Sequence, residues 1–366
     1  MKKVRYAVVG LGHIAQAAVL PAFEHARRNS ELAAIVSGDS RKISAIKRKY
    51  GVENAFGYED YDACLKSGLI DAVYIALPNA LHGEFARRAA QRGIHVLCEK
   101  PLTTQAREAE RLVEAADGAD VRLMTAYRLH FERGNLEAAR IARSGQLGEL
   151  RFFNSSFALQ LQRGNIRADR SLGGGPLYDL GVYCVNAARS MFGEDPYEVF
   201  AWSSRGKDQR FSTVDEMTGA TLRFSDGKLA QFTCSFGAAP VGWYEVAGTK
   251  GVLRFDNAYE YVGGSRLEVA FESGRKLRKS FPARDQFAPE LLYFSDCVLA
   301  GKRPEPDGRE GLIDARIIEA LLASARAGGP VRVAAPRKHR RPTLRQEMHR
   351  PAVGKPRLIG VHSASR

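Results

Sequence analysis

The feature that most limits what this chain can fold into is its opening. An apolar strand pattern, Val4–Val9, runs straight into Gly10-Leu11-Gly12-His13-Ile14-Ala15 and then into a helical pattern. A tight strand-to-helix turn wants no side chain at Gly10, and the bare backbone at Gly12 lets phosphates approach. The small Ala15 lets helix and strand pack closely. The helix start adds free N–H groups and a positive dipole end, which suits a pyrophosphate. Gly10, Gly12, His13, Ile14 and Ala15 are therefore candidate dinucleotide ligands.

The pattern continues to about Tyr127. Candidate strands at Leu32–Val36, Ala72–Leu77, Ile94–Cys98 and Arg122–Ala126 alternate with helical stretches near Ile14–Arg27, Arg41–Tyr50, Leu81–Arg92 and Gln105–Ala116. Strands and helices in that alternation predict an α/β domain with a doubly wound parallel sheet over residues 1–127. After a helix near Arg133–Arg143, glycines punctuate β-rich runs at Leu150–Phe157, Thr218–Phe224, Leu229–Phe236 and Val252–Phe255. Residues 128–335 read as an α+β domain on an open, mostly antiparallel sheet. A helix over Pro176–Met191 is expected to cross between the halves, and helices near Pro289–Ala300 and Glu310–Ala327 to close the fold.

Composition narrows the class. Of 366 residues 45% are hydrophobic and 26% charged, a globular balance large enough for two domains. No apolar run approaches the roughly 18 residues of a membrane span, and the start is read as a strand, not a leader. Five scattered cysteines without a C-x-x-C pair support neither a disulfide framework nor a zinc site, so no metal is expected and a cytoplasmic setting fits. The net charge of +14 is concentrated in residues 336–366, a Pro/Arg-rich tail with nine Lys or Arg against one Glu. It lacks the interleaved aromatics of a base-stacking surface, so no nucleic-acid partner is expected. The tail is expected to pack on the chain's own surface or a dimer partner.

The end of the second strand selects the dinucleotide. A carboxylate there would hold ribose hydroxyls and repel a 2′-phosphate. Instead Ser37-Gly38 precede Asp39, Ser40, Arg41 and Lys42, and Arg suits bidentate phosphate contact. This predicts NADP, with Ser37, Gly38, Arg41 and Lys42 at its phosphate and Asp39 as the complication.

Two further motifs fall at carboxyl ends of parallel strands, where ligands bind: Leu77-Pro78-Asn79 with His82, and Glu99-Lys100-Pro101. In the second half, Asp179 and Tyr183 share a helix face if Pro176 starts a helix. With these motifs the chain resembles the glucose–fructose oxidoreductase / inositol dehydrogenase / rhizopine catabolism (Gfo/Idh/MocA) superfamily over about Val4 to Val333. Tyr183, Ser37-Gly38 with Lys42, Tyr127-Arg128, Gly173–Gly175 and Phe192–Pro196 resemble its glucose–fructose oxidoreductase branch.

The resemblance implies a Rossmann domain binding NADP and a hydride exchanged between nicotinamide and a sugar or polyol. It places Leu77, Pro78, Asn79, His82, Glu99, Lys100 and Arg128 near the cofactor, and Lys100, Asp179 and Tyr183 near the substrate; Arg167, as an arginine able to reach sugar oxygens, is a further substrate candidate. It also implies a dimer or tetramer through the second domain's sheet, whose alternating Phe232, Cys234 and Phe236 equally suit packing within one chain. Ile166 stands where the branch often has Trp, a departure at the sugar pocket.

Removing the hydroxyl proton calls for an acceptor. Tyr183, with a phenol that titrates near 10 unaided, is favoured if the Lys100 ammonium lowers it. Lys100 itself is the other candidate, and Asp179 orients Lys100 or sugar hydroxyls. Two alternatives accompany this reading: an enzyme that keeps NADP bound while one sugar is oxidised and another reduced, and a non-catalytic NADP-binding sensor, which would not need Glu99-Lys100-Pro101.

Overall fold

The computed structural model describes residues 2–333, 342–354, 356–361 and 363–364. Of the tail, residues 336–341, 355, 362, 365 and 366 lie outside the described residues. The chain divides into two compact units. The first comprises Met1–Arg128, Asp285–Leu312 and His349–Ser363; the second comprises Leu129–Arg284, Ile313–Met348 and Ala364–Arg366.

In the first unit six parallel strands, β1 (Val4–Val9), β2 (Ser30–Val36), β3 (Asn54–Phe56), β4 (Ala72–Ile75), β5 (His95–Glu99) and β6 (Leu123–Ala126), form one sheet in the order β3-β2-β1-β4-β5-β6. This is the doubly wound topology expected. The strand order reverses between β1 and β4, where such sheets open a ligand crevice. Every residue of β4 is buried, as are Tyr6–Val9, which is why these strands read as unbroken apolar runs. The sequence pattern does not predict β3 or the helix after it, because three half-buried residues carry no periodicity.

The helices are α1 (Leu20–His25), α2 (Ser40–Tyr50), α3 (Tyr61–Lys66), α4 (His82–Gln91) and α5 (Ala106–Gly118). The stretch expected as one α-helix over Ile14–Arg27 departs from that form, because Ala15–Val19 is a π turn that leads into α1. From far along the sequence α8 (Ala288–Leu299) completes the unit. Its Leu292 and Leu291 carbonyls accept from Asn29 Nδ2 (2.9 Å) and Ser30 Oγ (3.3 Å), and Ser295 Oγ pairs with Tyr6 OH at 2.7 Å.

The second unit is built on nine strands in the order β14-β13-β12-β11-β7-β10-β9-β8-β15. In chain order these are β7 (Leu150–Ala158), β8 (Glu198–Ser204), β9 (Met217–Arg223), β10 (Leu229–Ser235), β11 (Val241–Gly248), β12 (Gly251–Asp256), β13 (Ser265–Phe271), β14 (Lys276–Phe281) and β15 (Val331–Arg332). Only β7 and β10 run parallel, so the sheet is mostly antiparallel as expected.

Helices α6 (Arg133–Arg143) and α7 (Val182–Phe192) accompany it, as does α9 (Gly308–Ala327) from Ile313 onward. The segment expected as a crossing helix belongs to this unit, and its first part, Leu177–Gly181, is again a π turn. Phe232 and Cys234 are buried against that turn: a side chain on Gly181 would lie 3.3 Å from Cys234 Sγ and 3.5 Å from the Phe232 ring. Their alternation therefore packs within the chain. All five cysteines are buried and none is in a disulfide. Among the described residues no helix is long and apolar enough to cross a membrane.

Candidate active site

The loop after β1 has the form its glycines suggest. Gly10 adopts φ +95°, and a Cβ there would meet the Ala76 carbonyl oxygen at 2.5 Å, so only glycine lets β1 turn beside β4. A Cβ on Gly12 would meet nothing within 4 Å among the described residues. That is open space beside the start of the helical stretch. Ala15 is fully buried, as close helix–sheet packing requires.

At the tip of β2, Asp39 is engaged by the start of α2 through one carboxylate oxygen. Its side chain caps α2, accepting from the Arg41 and Lys42 backbone N–H groups at 3.0 and 3.1 Å. The Lys42 N–H holds the Asp39 carboxyl below its ordinary pKa, and the Lys42 ammonium lies 3.6 Å away. Ser37 is buried, its Oγ accepting from the Asp39 N–H at 3.2 Å. Arg41 stands exposed. This end of the sheet thus groups the Ser37 hydroxyl, Arg41 and Lys42 around the Asp39 carboxylate that caps α2.

The β4 and β5 ends are tied together. His82 opens α4 almost fully buried, with Nδ1 2.8 Å from the Pro101 carbonyl and Nε2 2.9 Å from that of Leu77. Burial lowers its pKa, and a neutral ring donates to one carbonyl at a time. Its ring thus braces the loops that carry Asn79 and Lys100. Asn79 begins the short turn before it, half-buried.

Beneath Lys100 lies a buried polar cluster that the sequence does not announce. Glu99 accepts from Tyr74 OH at 2.8 Å and from the Lys100 N–H at 3.3 Å. Burial raises its pKa, while the Lys100 and Arg128 charges oppose that rise. Arg128, 5% exposed, donates to Gln286 Oε1. Glu290 of α8 is wholly buried, and neither of its carboxyl oxygens has a hydrogen-bond partner among the described residues. Burial first, and then the neighbouring Glu99, push its pKa well up, which favours the neutral acid. A lone acid inside an otherwise apolar stretch, Ala288-Pro289-Glu290-Leu291-Leu292, is the sequence signal that could have found it.

In the second unit Asp179 lies in the π turn and Tyr183 in the first turn of α7. Tyr183 is 9% exposed, with its ring edge-on to Phe157 at 5.7 Å. The Asp179 carboxylate is held by Arg167 Nε at 2.7 Å, a pairing across 12 residues that no local pattern signals. Gly173–Gly175 permit it: a Cβ on Gly174 would sit 2.4 Å from the Arg167 carbonyl oxygen, and the Gly175 N–H donates to that oxygen at 2.9 Å with φ +128°. Deeper, fully buried Arg189 joins Asp195 (2.8 Å) to Asp314 (2.7 Å), which also accepts from Asn186 at 3.0 Å.

The model of an oxidoreductase family with an NAD-binding Rossmann fold matches residues 4–127, and that of the GFO/IDH/MocA C-terminal domain matches residues 135–254. The chain belongs to the Gfo/Idh/MocA oxidoreductase family. It is 34% identical over 329 residues to an NADP(+) D-xylose 1-dehydrogenase of Haloferax volcanii, covering 89% of this chain and 98% of the relative. It is 32% identical to the dTDP-3,4-didehydro-2,6-dideoxy-alpha-D-glucose 3-reductase of Actinomadura kijaniata, covering 88% and 96%. Among solved structures, an aldose–aldose oxidoreductase from Caulobacter crescentus complexed with glycerol superposes with a TM-score of 0.85 at 34% identity, covering 90% of this chain and all of that one. A 3-ketoreductase from Actinomadura kijaniata with NADP and TDP-benzene gives 0.79 at 30%, covering 88% and 98%. In this Gfo/Idh/MocA member, then, the glycine loop and Glu99-Lys100-Pro101 belong to the Rossmann match, and Asp179 and Tyr183 to the C-terminal one.

Proposed function

We propose that this chain is an NADP-dependent oxidoreductase that exchanges a hydride with a sugar or polyol. The observation that carries the reading is the grouping, at the carboxyl ends of β1, β2 and β5, of the glycine loop, a β2 tip with Ser37, Arg41 and Lys42 whose Asp39 caps α2, and Lys100. NADP supplies the two-electron redox step when bound. Gly10–Ala15 take the pyrophosphate, Ser37, Gly38, Arg41 and Lys42 the 2′-phosphate, and Leu77, Pro78, Asn79, His82, Glu99 and Arg128 form or brace the nicotinamide side.

The chain's own residues then manage one proton. Tyr183 is the residue we assign to exchanging it with the substrate oxygen, and Lys100 the one we assign to polarising that oxygen. Asp179, positioned by Arg167, holds the sugar hydroxyls. The relatives' NADP-linked work on xylose and on a keto-sugar supports this class of substrate. Likeness to the aldose–aldose oxidoreductase favours a second reading, in which NADP stays bound while one sugar is oxidised and another reduced.

Outward-facing Phe152, Trp202, Met217, Leu229 and Val252 on the second sheet are the surface we assign to a homo-oligomer, dimer or tetramer. Cysteines outside any disulfide go with a cytoplasmic setting.

The test is NADP⁺ and NAD⁺ reduction across aldoses, inositols and polyols, with Lys100→Ala alongside. Lys100→Ala is expected to lose about 10²–10⁴-fold in turnover while NADP binding persists; loss of both together would remove Lys100 from the chemistry. Cofactor that survives long dialysis would select the second reading.

A further inference from the structure

The last described stretch of the chain lies along the helices of the dinucleotide unit. Arg350 fixes one end: its Nε donates to the His25 carbonyl at 3.1 Å, at the close of α1, and its own carbonyl accepts from the Asp285 N–H at 3.4 Å. Farther on, the Arg357 carbonyl accepts from Lys49 Nζ at 3.1 Å, in the last turn of α2. The chain then reaches the opposite ends of both helical stretches.

There it meets Gln16, the residue directly after the Gly10–Ala15 fingerprint and only 1% exposed. Gln16 Oε1 accepts from the Ile359 N–H at 2.7 Å, and Nε2 donates to the Ile359 carbonyl at 2.9 Å. The same Nε2 donates to the Leu11 carbonyl at 2.9 Å, between the two glycines. Both amide donors and the acceptor are therefore used, and one side chain fastens the glycine loop to the tail. One residue on, Gly360 rests on the Lys42 stem: a Cβ there would lie 3.2 Å from Lys42 Cε.

We propose that residues 357–361 are a working part of the dinucleotide site, a strap that pins the glycine loop through Gln16 and holds the Lys42 side chain ready for the 2′-phosphate, slowing release of NADP(H). The inference rests on the NADP reading above. Its physical basis is preorganisation. A glycine-rich loop and a lysine stem both have conformational freedom to lose when a ligand arrives, and contacts already made with the tail remove part of that cost beforehand. Affinity differences of this kind appear mainly as changes in dissociation rate. Pinning the loop serves any dinucleotide, whereas holding Lys42 serves only one with a 2′-phosphate, so NADPH gains more than NADH.

The experiment compares the full chain, a chain ending at Arg350, and Gln16→Leu. Release of NADPH and of NADH is followed by stopped-flow fluorescence on displacement with excess oxidised cofactor. The shortened chain keeps the Arg350 anchor and loses the strap. It is expected to release NADPH about tenfold faster, equivalent to about 1.4 kcal/mol, with a smaller acceleration for NADH, and Gln16→Leu is expected to follow it for NADPH. A shortened chain that melts lower yet releases NADPH at the full chain's rate would show a merely structural tail and overturn the proposal. So would slower release, or equal acceleration of both cofactors. A full chain that binds no NADPH would instead overturn the cofactor reading itself.

Discussion

Gly10 and Arg167 each fix a neighbouring part of the chain, but by different means. Gly10 does so with backbone alone: its φ and its distance from the Ala76 carbonyl leave no room for a side chain. Arg167 does so with an ion pair to Asp179, reached over a run of three glycines. The same contrast runs through the two units. The first unit sets its glycine loop by backbone form, while in the second unit Asp179, Asp195 and Asp314 are held by arginine side chains. A site of the first kind is altered by any added atom; one of the second kind by any lost partner.

The largest effect we expect breaks the second kind. Arg189→Leu should lower unfolding stability by about 3–5 kcal/mol, because Asp195 and Asp314 are left as buried charges without this partner, and urea unfolding would measure it. A loss under about 1 kcal/mol would mean the network behaves as a surface pair, and the contrast would fail.

Next come the two glycines. Gly10→Ala should cost about 1–3 kcal/mol or more from backbone strain and collision and abolish NADP binding. Gly12→Ala should leave stability within about 0.5 kcal/mol and still weaken NADP, since its Cβ enters the space kept for phosphate. Equal melting temperatures for both variants would refute the backbone account.

Arg167→Ala sharpens the comparison from the substrate side. Freed of its partner, Asp179 should misplace the sugar and reduce kcat/KM by about 10–100-fold, or about 1.4–3 kcal/mol, with NADP affinity unchanged. A matching fall in NADP affinity would move Arg167 to the cofactor.

Glu290→Gln is the smallest effect. The folded chain keeps this acid protonated above its unfolded pKa, so wild-type stability rises as pH falls toward the ordinary carboxyl value of 4.5. The amide lacks that dependence. It should be the more stable form by about 1 kcal/mol near neutrality, and the gap should close as pH is lowered toward that value. A gap that widens on acidification would reverse the assignment of a neutral Glu290.

The same contrast separates what the amino-acid sequence makes legible from what it hides. The parallel sheet, the glycine turn, the β2 tip and Glu99-Lys100-Pro101 are legible because each is written in a few consecutive residues whose backbone form follows from residue type. Arg167 with Asp179, Glu290 near Glu99, and Arg189 with Asp314 are not, since each joins residues that only tertiary packing brings together. The π turns at Ala15–Val19 and Leu177–Gly181 are hidden for another reason: an apolar period cannot distinguish a single widened turn from an α turn. Asp39 stands in the sequence as a complication for NADP, and its capping bonds to α2 are a second role that the sequence pattern does not separate from the first.

The dinucleotide unit is assembled from three separate lengths of chain, and this bears on how the protein is made. The glycine loop leaves the ribosome early, but α8, with the carbonyls that receive Asn29 and Ser30 and the hydroxyl that meets Tyr6, follows only after strands β7 to β14 have been translated. Until then those buried polar groups have no native partners in α8. A chain cut short before Ala288 would therefore carry every residue of the fingerprint and still leave Tyr6, Asn29 and Ser30 without these α8 partners.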